Sequence, residues 1–257
     1  MSWLKYILGL TIATPLAPIM WLQGRQILKH IPQVPEPEDH HGVVGDGDAL
    51  IKILGIGESS IASIGARTSQ LGLVGQVAAH MAEESNCEIH WQVVAESGLT
   101  IKNMLVALIP KCQKMDFNPD LLLLGVGVNE VFKLNHPVGF RKDLETLIHV
   151  LKSQYPGVPL VFIHMPPIRS FPVWTSLLRY FTGELGDIFE KEMEQMIQSH
   201  NQTYYCQDRI SLDKFKAKLN RPAEDAEFFS DGVHPSELTY HLWGREIGSF
   251  ILAQVPF

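Results

Sequence analysis

The sequence predicts an α/β protein: a single three-layer α/β/α domain with a mainly parallel sheet, preceded by an N-terminal hydrophobic helix. Three observations predict it. Continuous apolar runs recur at 50–56, 89–95, 120–126 and 159–164, each short enough to be a strand buried on both faces. Between them lie stretches with helical spacing at 68–83, 100–113 and 139–154; in the last, Phe140, Leu144, Leu147, Ile148 and Leu151 recur on one face. Strands that alternate with helices build a parallel sheet, and right-handed crossovers put helices on both of its faces. The third observation is the opening segment, which is uncharged from Tyr6 to Leu22.

That segment, YILGLTIATPLAPIMWL, is 17 residues long. As a helix it would reach roughly 26 Å, close to the ~30 Å hydrocarbon core of a bilayer. Trp3 and Trp21 lie at its ends, where aromatic belts form, and Lys5 can snorkel to the interface. Pro15 and Pro18 weaken a straight helix, though bilayer helices tolerate proline better than soluble ones. A cleaved signal peptide is the rival reading, but Pro18 follows Ala17 and an A-x-A pattern is missing. A soluble amphipathic helix is the third. Residues 1–31 are therefore expected to be an anchor helix and its flank, associating the protein with a membrane. The side on which the domain lies stays open, because the amino terminus and Lys5 oppose Arg25 and Lys29.

Residues 32–48, PQVPEPEDHHGVVGDGD, read as a linker rich in Pro, Gly and acids. His40 and His41 within it are more simply solvated than metal-bound. The domain proper is expected over 49–257. With 46% hydrophobic and 19% charged residues the chain can bury a full core. A net charge of −7 without a basic block gives nucleic acid no electrostatic footprint. Cys87, Cys112 and Cys206 show no C-x-x-C pairing and read as small buried hydrophobes.

In open parallel sheets, ligands bind beyond the carboxyl ends of the strands. After the first run come Glu58, Ser59 and Ser60; after the second, Glu96, Ser97 and Gly98; after the third, Asn129 and Glu130. Near the C-terminus, SDGVHPSEL supplies Asp231 and His234 ahead of a final helix. The set holds a hydroxyl nucleophile, a base, and an acid that can hold the base in its tautomer. Each residue also has a plainer reading. Ser59 can cap a helix, Asn129 and Asp231-Gly232 are ordinary turn signals, and His234-Pro235 can open a helix. Ser60 is the alternative nucleophile, and His164, at the end of the fourth run, reads as a core histidine.

The stretches GESS, ESGLT, GVNE and DGVHP resemble the ordered sequence blocks of the SGNH or GDSL hydrolase superfamily of esterases, lipases and acyl hydrolases. The resemblance spans about residues 50–254. It implies Ser59 as nucleophile, Asp231 and His234 as the remaining catalytic pair, and an oxyanion hole from the backbone N–H groups of Ser59 and Gly98 and the Asn129 side chain. It implies an ester or lipid-like substrate, cleaved through an acyl-enzyme, with no cofactor and no metal. Glu58 and Glu130 depart from the pattern, which more often has Asp at both places. Two other classes remain as alternatives: a membrane-tethered binding module of the same fold, and a nucleotide-binding domain suggested by Gly55-x-Gly57 and Glu96. The nucleotide reading lacks its third glycine, where Ser60 stands. Substrate choice is expected to rest on 130–140 and 165–185, where Phe171, Trp174, Leu177, Leu178 and Tyr180 either line an apolar groove or pack on the core.

Overall fold

The structure is a computed structural model that describes residues 2–32, 34–206 and 211–256; for Ser2–Lys5 and Leu28 it describes the backbone alone, so the expected roles of Trp3 and Lys5 lie outside the described side chains. In chain order the elements are α1 (Ser2–His30), β1 (His41–Val44), β2 (Ala49–Gly57), α2 (Leu73–Ser85), β3 (Cys87–Ala95), α3 (Ile101–Ala107), α4 (Ile109–Cys112), β4 (Leu121–Gly125), α5 (Val128–Phe132), α6 (Pro137–Gln154), β5 (Leu160–Phe162), α7 (Ser176–Gln198), β6 (Thr203–Tyr205), α8 (Leu212–Lys218) and α9 (Glu237–Gln254). One sheet has the order β1-β3-β2-β4-β5-β6, with every pairing parallel except β1 against β3. The strand order therefore reverses between β2 and β4, and a doubly wound sheet opens its crevice at such a reversal.

Residue chemistry accounts for the layers. All five residues of β4, LLLLG, are buried, as a central strand covered on both faces requires. On one side α2 packs against α9, where Gly244 comes so close to α2 that a Cβ would lie 2.6 Å from the Gln76 side chain. On the other, α6 packs against α7, with Phe140 edge-on to Phe189 at 4.8 Å. α2 stops at Asn86, whose left-handed φ of 52° and N–H bond to the Ala82 carbonyl close the last turn. α6 begins at His136-Pro137: proline at the first helical position loses no bond, and the His136 ring accepts from the Val138 N–H at 3.2 Å.

One expectation is corrected, and one left open is narrowed. Part of the expected linker, His41–Val44, is an antiparallel edge strand on β3, and Asp39 just before it accepts the Ser69 N–H at 3.0 Å. Its alternation of exposed and half-buried residues over only four positions gave the sequence no apolar run to detect. The short edge strand β6, three residues long, was missed for the same reason. In 165–185, Phe171 and Leu178 are buried and Phe171 meets Phe229 edge-on at 5.7 Å, so these two pack on the core, while Tyr180 is exposed.

The opening helix is docked on the domain. The Tyr6 ring meets His136 edge-on at 5.0 Å, and Gln23 Oε1 accepts the Thr175 hydroxyl at 2.8 Å, at the start of α7. Its apolar segment Tyr6–Ile27 is 22 residues, long and apolar enough to cross a membrane.

Candidate active site

Register alone brings three of the predicted residues to one rim. Gly57 pairs with Ala95 on one side and Gly125 on the other, so β2, β3 and β4 end flush. Ser59, Gly98 and Asn129 follow these ends by two, three and four residues, and Ser59 and Asn129 flank the reversal in strand order. Glycine at the ends of β2 and β4 has a local cause: a Cβ on Gly57 would sit 2.3 Å from the Gly125 carbonyl oxygen, and one on Gly125 would sit 2.7 Å from Ile61. Ile61 of the serine loop thus lies across both strand ends. That packing accounts for Gly57 in the Gly55-x-Gly57 pair without a nucleotide.

Ser59 does not cap a helix. It opens a chain of turns that runs to Gly72, and α2 begins only at Leu73. Of the two serines, Ser59 is partly exposed and Ser60 is buried. The loop is pinned to the C-terminal segment: Tyr240 Oη donates to the Ile64 carbonyl at 2.6 Å, and Arg67 holds both carboxylate oxygens of Glu237 at 2.9 and 3.0 Å. Gly65, at φ +102°, presses against the Pro235 carbonyl, where a Cβ would lie 2.2 Å away. The loop carrying Ser59 and the loop carrying His234 are therefore packed together.

Asp231 and His234 form a pair. His234 Nδ1 lies 2.7 Å from Asp231 Oδ2, while Asp231 Oδ1 accepts the backbone N–H groups of Val233 at 2.9 Å and His234 at 2.8 Å. A carboxylate can only accept, so this bond puts the imidazole proton on Nδ1 and leaves Nε2 as the ring's acceptor. Burial pushes the Asp231 carboxyl up, but the bonds from the His234 ring and backbone outweigh it, and the carboxyl sits below its ordinary value.

The two departures at Glu58 and Glu130 have structural explanations. Glu58 is buried; its Oε1 accepts the Gly127 N–H at 2.6 Å and its Oε2 accepts both the backbone N–H of Asn129 at 3.1 Å and the side-chain amide at 2.9 Å. One amide hydrogen of Asn129 is thereby committed, which orients the group and leaves the other for a ligand. Burial pushes the Glu58 carboxyl up to about 8, against the pull of these donors. Glu130, also buried, accepts the Ile101 N–H at 2.7 Å and the Asn135 amide, tying the Gly98 loop to the Asn129 loop.

Gly98 has φ +82°, and nothing lies within 4 Å of where its Cβ would be. Its backbone conformation, not crowding by the rest of the chain, requires glycine there. Lys133 Nζ donates to the Gly98 carbonyl at 2.6 Å and so clamps the same loop. Sequence reasoning missed Lys133, and no spacing rule links residues 35 apart. His164 is buried, stacked on Trp243 with ring centroids 5.6 Å apart, as expected of a core histidine.

Among the described residues one group, His80, Glu83 and Glu84 on α2, has the composition of a metal site. It lies off the rim, and Glu83 already pairs with Arg245 at 3.6 Å while His80 bonds the Ser249 hydroxyl at 2.7 Å.

The model of the GDSL-like lipase/acylhydrolase family matches residues 46–247, which include all five rim and pair residues. The chain belongs to this family. Membership makes it a hydrolase acting on ester bonds. No curated protein matches it by sequence. Among solved structures, it is similar to a member of the lipolytic G-D-S-L family from Veillonella parvula, with 15% identity over 80% of this chain and 100% of that one and a TM-score of 0.58. It is also similar to the psychrotrophic esterase EstA from Pseudoalteromonas, with 16% identity over 79% and 97% and a TM-score of 0.57. A third is the acetylxylan esterase Axe2 from Geobacillus stearothermophilus, with 17% identity over 83% and 96% and a TM-score of 0.53. At these identities the likeness is one of fold.

Proposed function

We propose that this hydrolase cleaves carboxylic esters of small or lipid-like substrates through a Ser59-His234-Asp231 triad and an acyl-enzyme intermediate. The observation that carries the reading is the Asp231-His234 pair, whose carboxylate is held by two backbone N–H groups while its second oxygen orients the ring. In this reading His234 Nε2 takes the proton of Ser59 Oγ as the oxygen attacks the ester carbonyl. The tetrahedral intermediate collapses as Nε2 returns that proton to the leaving alkoxide, releasing the alcohol. Water, deprotonated by the same nitrogen, then cleaves the acyl-serine bond and frees the acid. The backbone N–H groups of Ser59 and Gly98 and the free amide hydrogen of Asn129 stabilise the oxyanion; one such donor is worth about 3 kcal/mol. No step calls for a metal or a cofactor.

The same reading keeps α1 on the mature protein and uses it to associate the enzyme with a membrane. Its contacts through Tyr6 and Gln23 support retention, since cleavage after the apolar segment would strip both from the domain. Hydrolysis of p-nitrophenyl esters by purified enzyme and by Ser59→Ala tests the triad. Loss of at least ~10³-fold in kcat is expected, with an unchanged circular dichroism spectrum. Turnover by Ser59→Ala within tenfold of wild type would refute it.

A further inference from the structure

The helix α1 is apolar all round, and such a helix has to be covered all round. The domain covers one stripe of it. Tyr6, Gly9, Ala13, Leu16, Met20, Gln23 and Ile27, recurring every three or four residues, are buried or half-buried. The rest of its circumference is open. Leu8, Leu10, Ile12, Ile19, Trp21 and Leu22 are each 45% to 60% exposed, with no charged residue between Tyr6 and Gln23.

We propose that α1 lies in the plane of the membrane surface, docked on the domain by one stripe and on lipid by the other, and does not cross the bilayer. The membrane partner rests on the reading of α1 given above; the in-plane arrangement is new. The contacts at Tyr6 and Gln23 are 17 residues apart, roughly 26 Å along the helix axis, so the domain runs beside the whole apolar segment. Crossing in this arrangement would carry into hydrocarbon the exposed ion pairs of Arg169 with Glu184 and Asp187 on and beside α7, the helix α1 packs against. Charges at that depth are costly.

The open face suits lipid. The Thr11 and Thr14 hydroxyls donate back to the Ile7 and Leu10 carbonyls at 2.9 and 2.7 Å, so they need no partner from outside. Arg25 lies over the Trp21 ring at 5.3 Å, a charged and aromatic edge of the kind found at the headgroup level. The in-plane arrangement also places the bilayer beside the turn that carries Asp231. Beyond the apolar face, Gln26, Ile27 and His30 line a cleft of about 420 Å3 with Val173 and Asp231, the acid of the proposed triad. An ester drawn from the lipid surface would meet the enzyme there.

Depth measurement on the full chain tests the arrangement. Leu8→Cys and Leu22→Cys, each carrying a bimane, are bound to vesicles of phosphatidylcholine and phosphatidylglycerol and quenched by lipids labelled at known depths; the native cysteines are buried. Both probes are expected in one interfacial layer, about 5–10 Å below the headgroup boundary. Depths differing by about 20 Å, the length of 14 helical residues, would mean a crossing helix and overturn the proposal alone. Absence of vesicle binding would overturn it together with the membrane reading, and hydrolysis of a soluble ester by the same samples reports on the triad independently. In a second arm, Gln23→Cys with Thr175→Cys is cross-linked to lock α1 on the domain. Vesicle binding within twofold of the uncrosslinked chain is expected, and a loss of tenfold or more would overturn the in-plane arrangement.

Discussion

At the carboxyl rim of the sheet, two buried carboxylates, Glu58 and Glu130, accept backbone N–H groups from neighbouring loops, and a third, Asp231, accepts two from its own turn. Along α1 the domain is met by small and apolar side chains, with one hydroxyl-to-amide bond at Gln23. Directional bonds fix atoms to within a few tenths of an ångström, which is what a reacting constellation needs. An apolar stripe fixes only which face is covered. The rim is therefore expected to respond sharply to single substitutions, and α1 to respond to its surroundings.

The largest effect should come from breaking the Asp231-His234 pair. His234→Ala should lower kcat on p-nitrophenyl esters by several orders of magnitude, and Asp231→Asn by somewhat less, because an orienting group is lost but the base remains. Steady-state kinetics check both. Near-normal kcat in His234→Ala would remove the base from the account. Asn129→Ala comes next, with a loss of roughly 100- to 1000-fold in kcat and little change in KM, since its free amide hydrogen acts mainly in the transition state.

Glu58 offers a smaller and more specific test. Its folded value of about 8 lies above the ordinary 4.5, so between these two pH values the folded state holds the proton more tightly than the unfolded chain. Folding then takes up a proton, and this group's contribution to stability is fully present below about 4.5 and lost as pH rises through 8. Thermal melts from pH 4.5 to 8.5 should show wild type losing more stability than Glu58→Gln over that window. Parallel curves would show that the carboxyl does not titrate there. The smallest effect belongs to Gly98→Ala, where a left-handed residue gains a side chain into open space: about 1–2 kcal/mol of stability, read as a shift in Tm.

How much of this was legible in the sequence follows the same division. The apolar run LLLLG marked a central strand, and the ends of such runs located Ser59, Gly98 and Asn129 because a parallel sheet in register brings its strand ends to one edge. Asp231 and His234 were legible because two residues three positions apart in one turn can form a pair on their own. Glu58 and Glu130 were legible only as departures. Their partners Gly127, Asn129 and Ile101 stand up to 71 residues away, and no local pattern encodes a bond across that distance. The edge strands β1 and β6 escaped because they are too short for a run. For α1 the composition gave the helix but not its pose, which depends on a stripe matched to α7.

The proposed nucleophile is Ser59, and a fluorophosphonate probe followed by peptide mass analysis tests that assignment on the reacting atom itself. A single adduct on Ser59 is predicted, absent in Ser59→Ala and formed far more slowly in His234→Ala. An adduct on Ser60, or labelling that survives in Ser59→Ala, would contradict it.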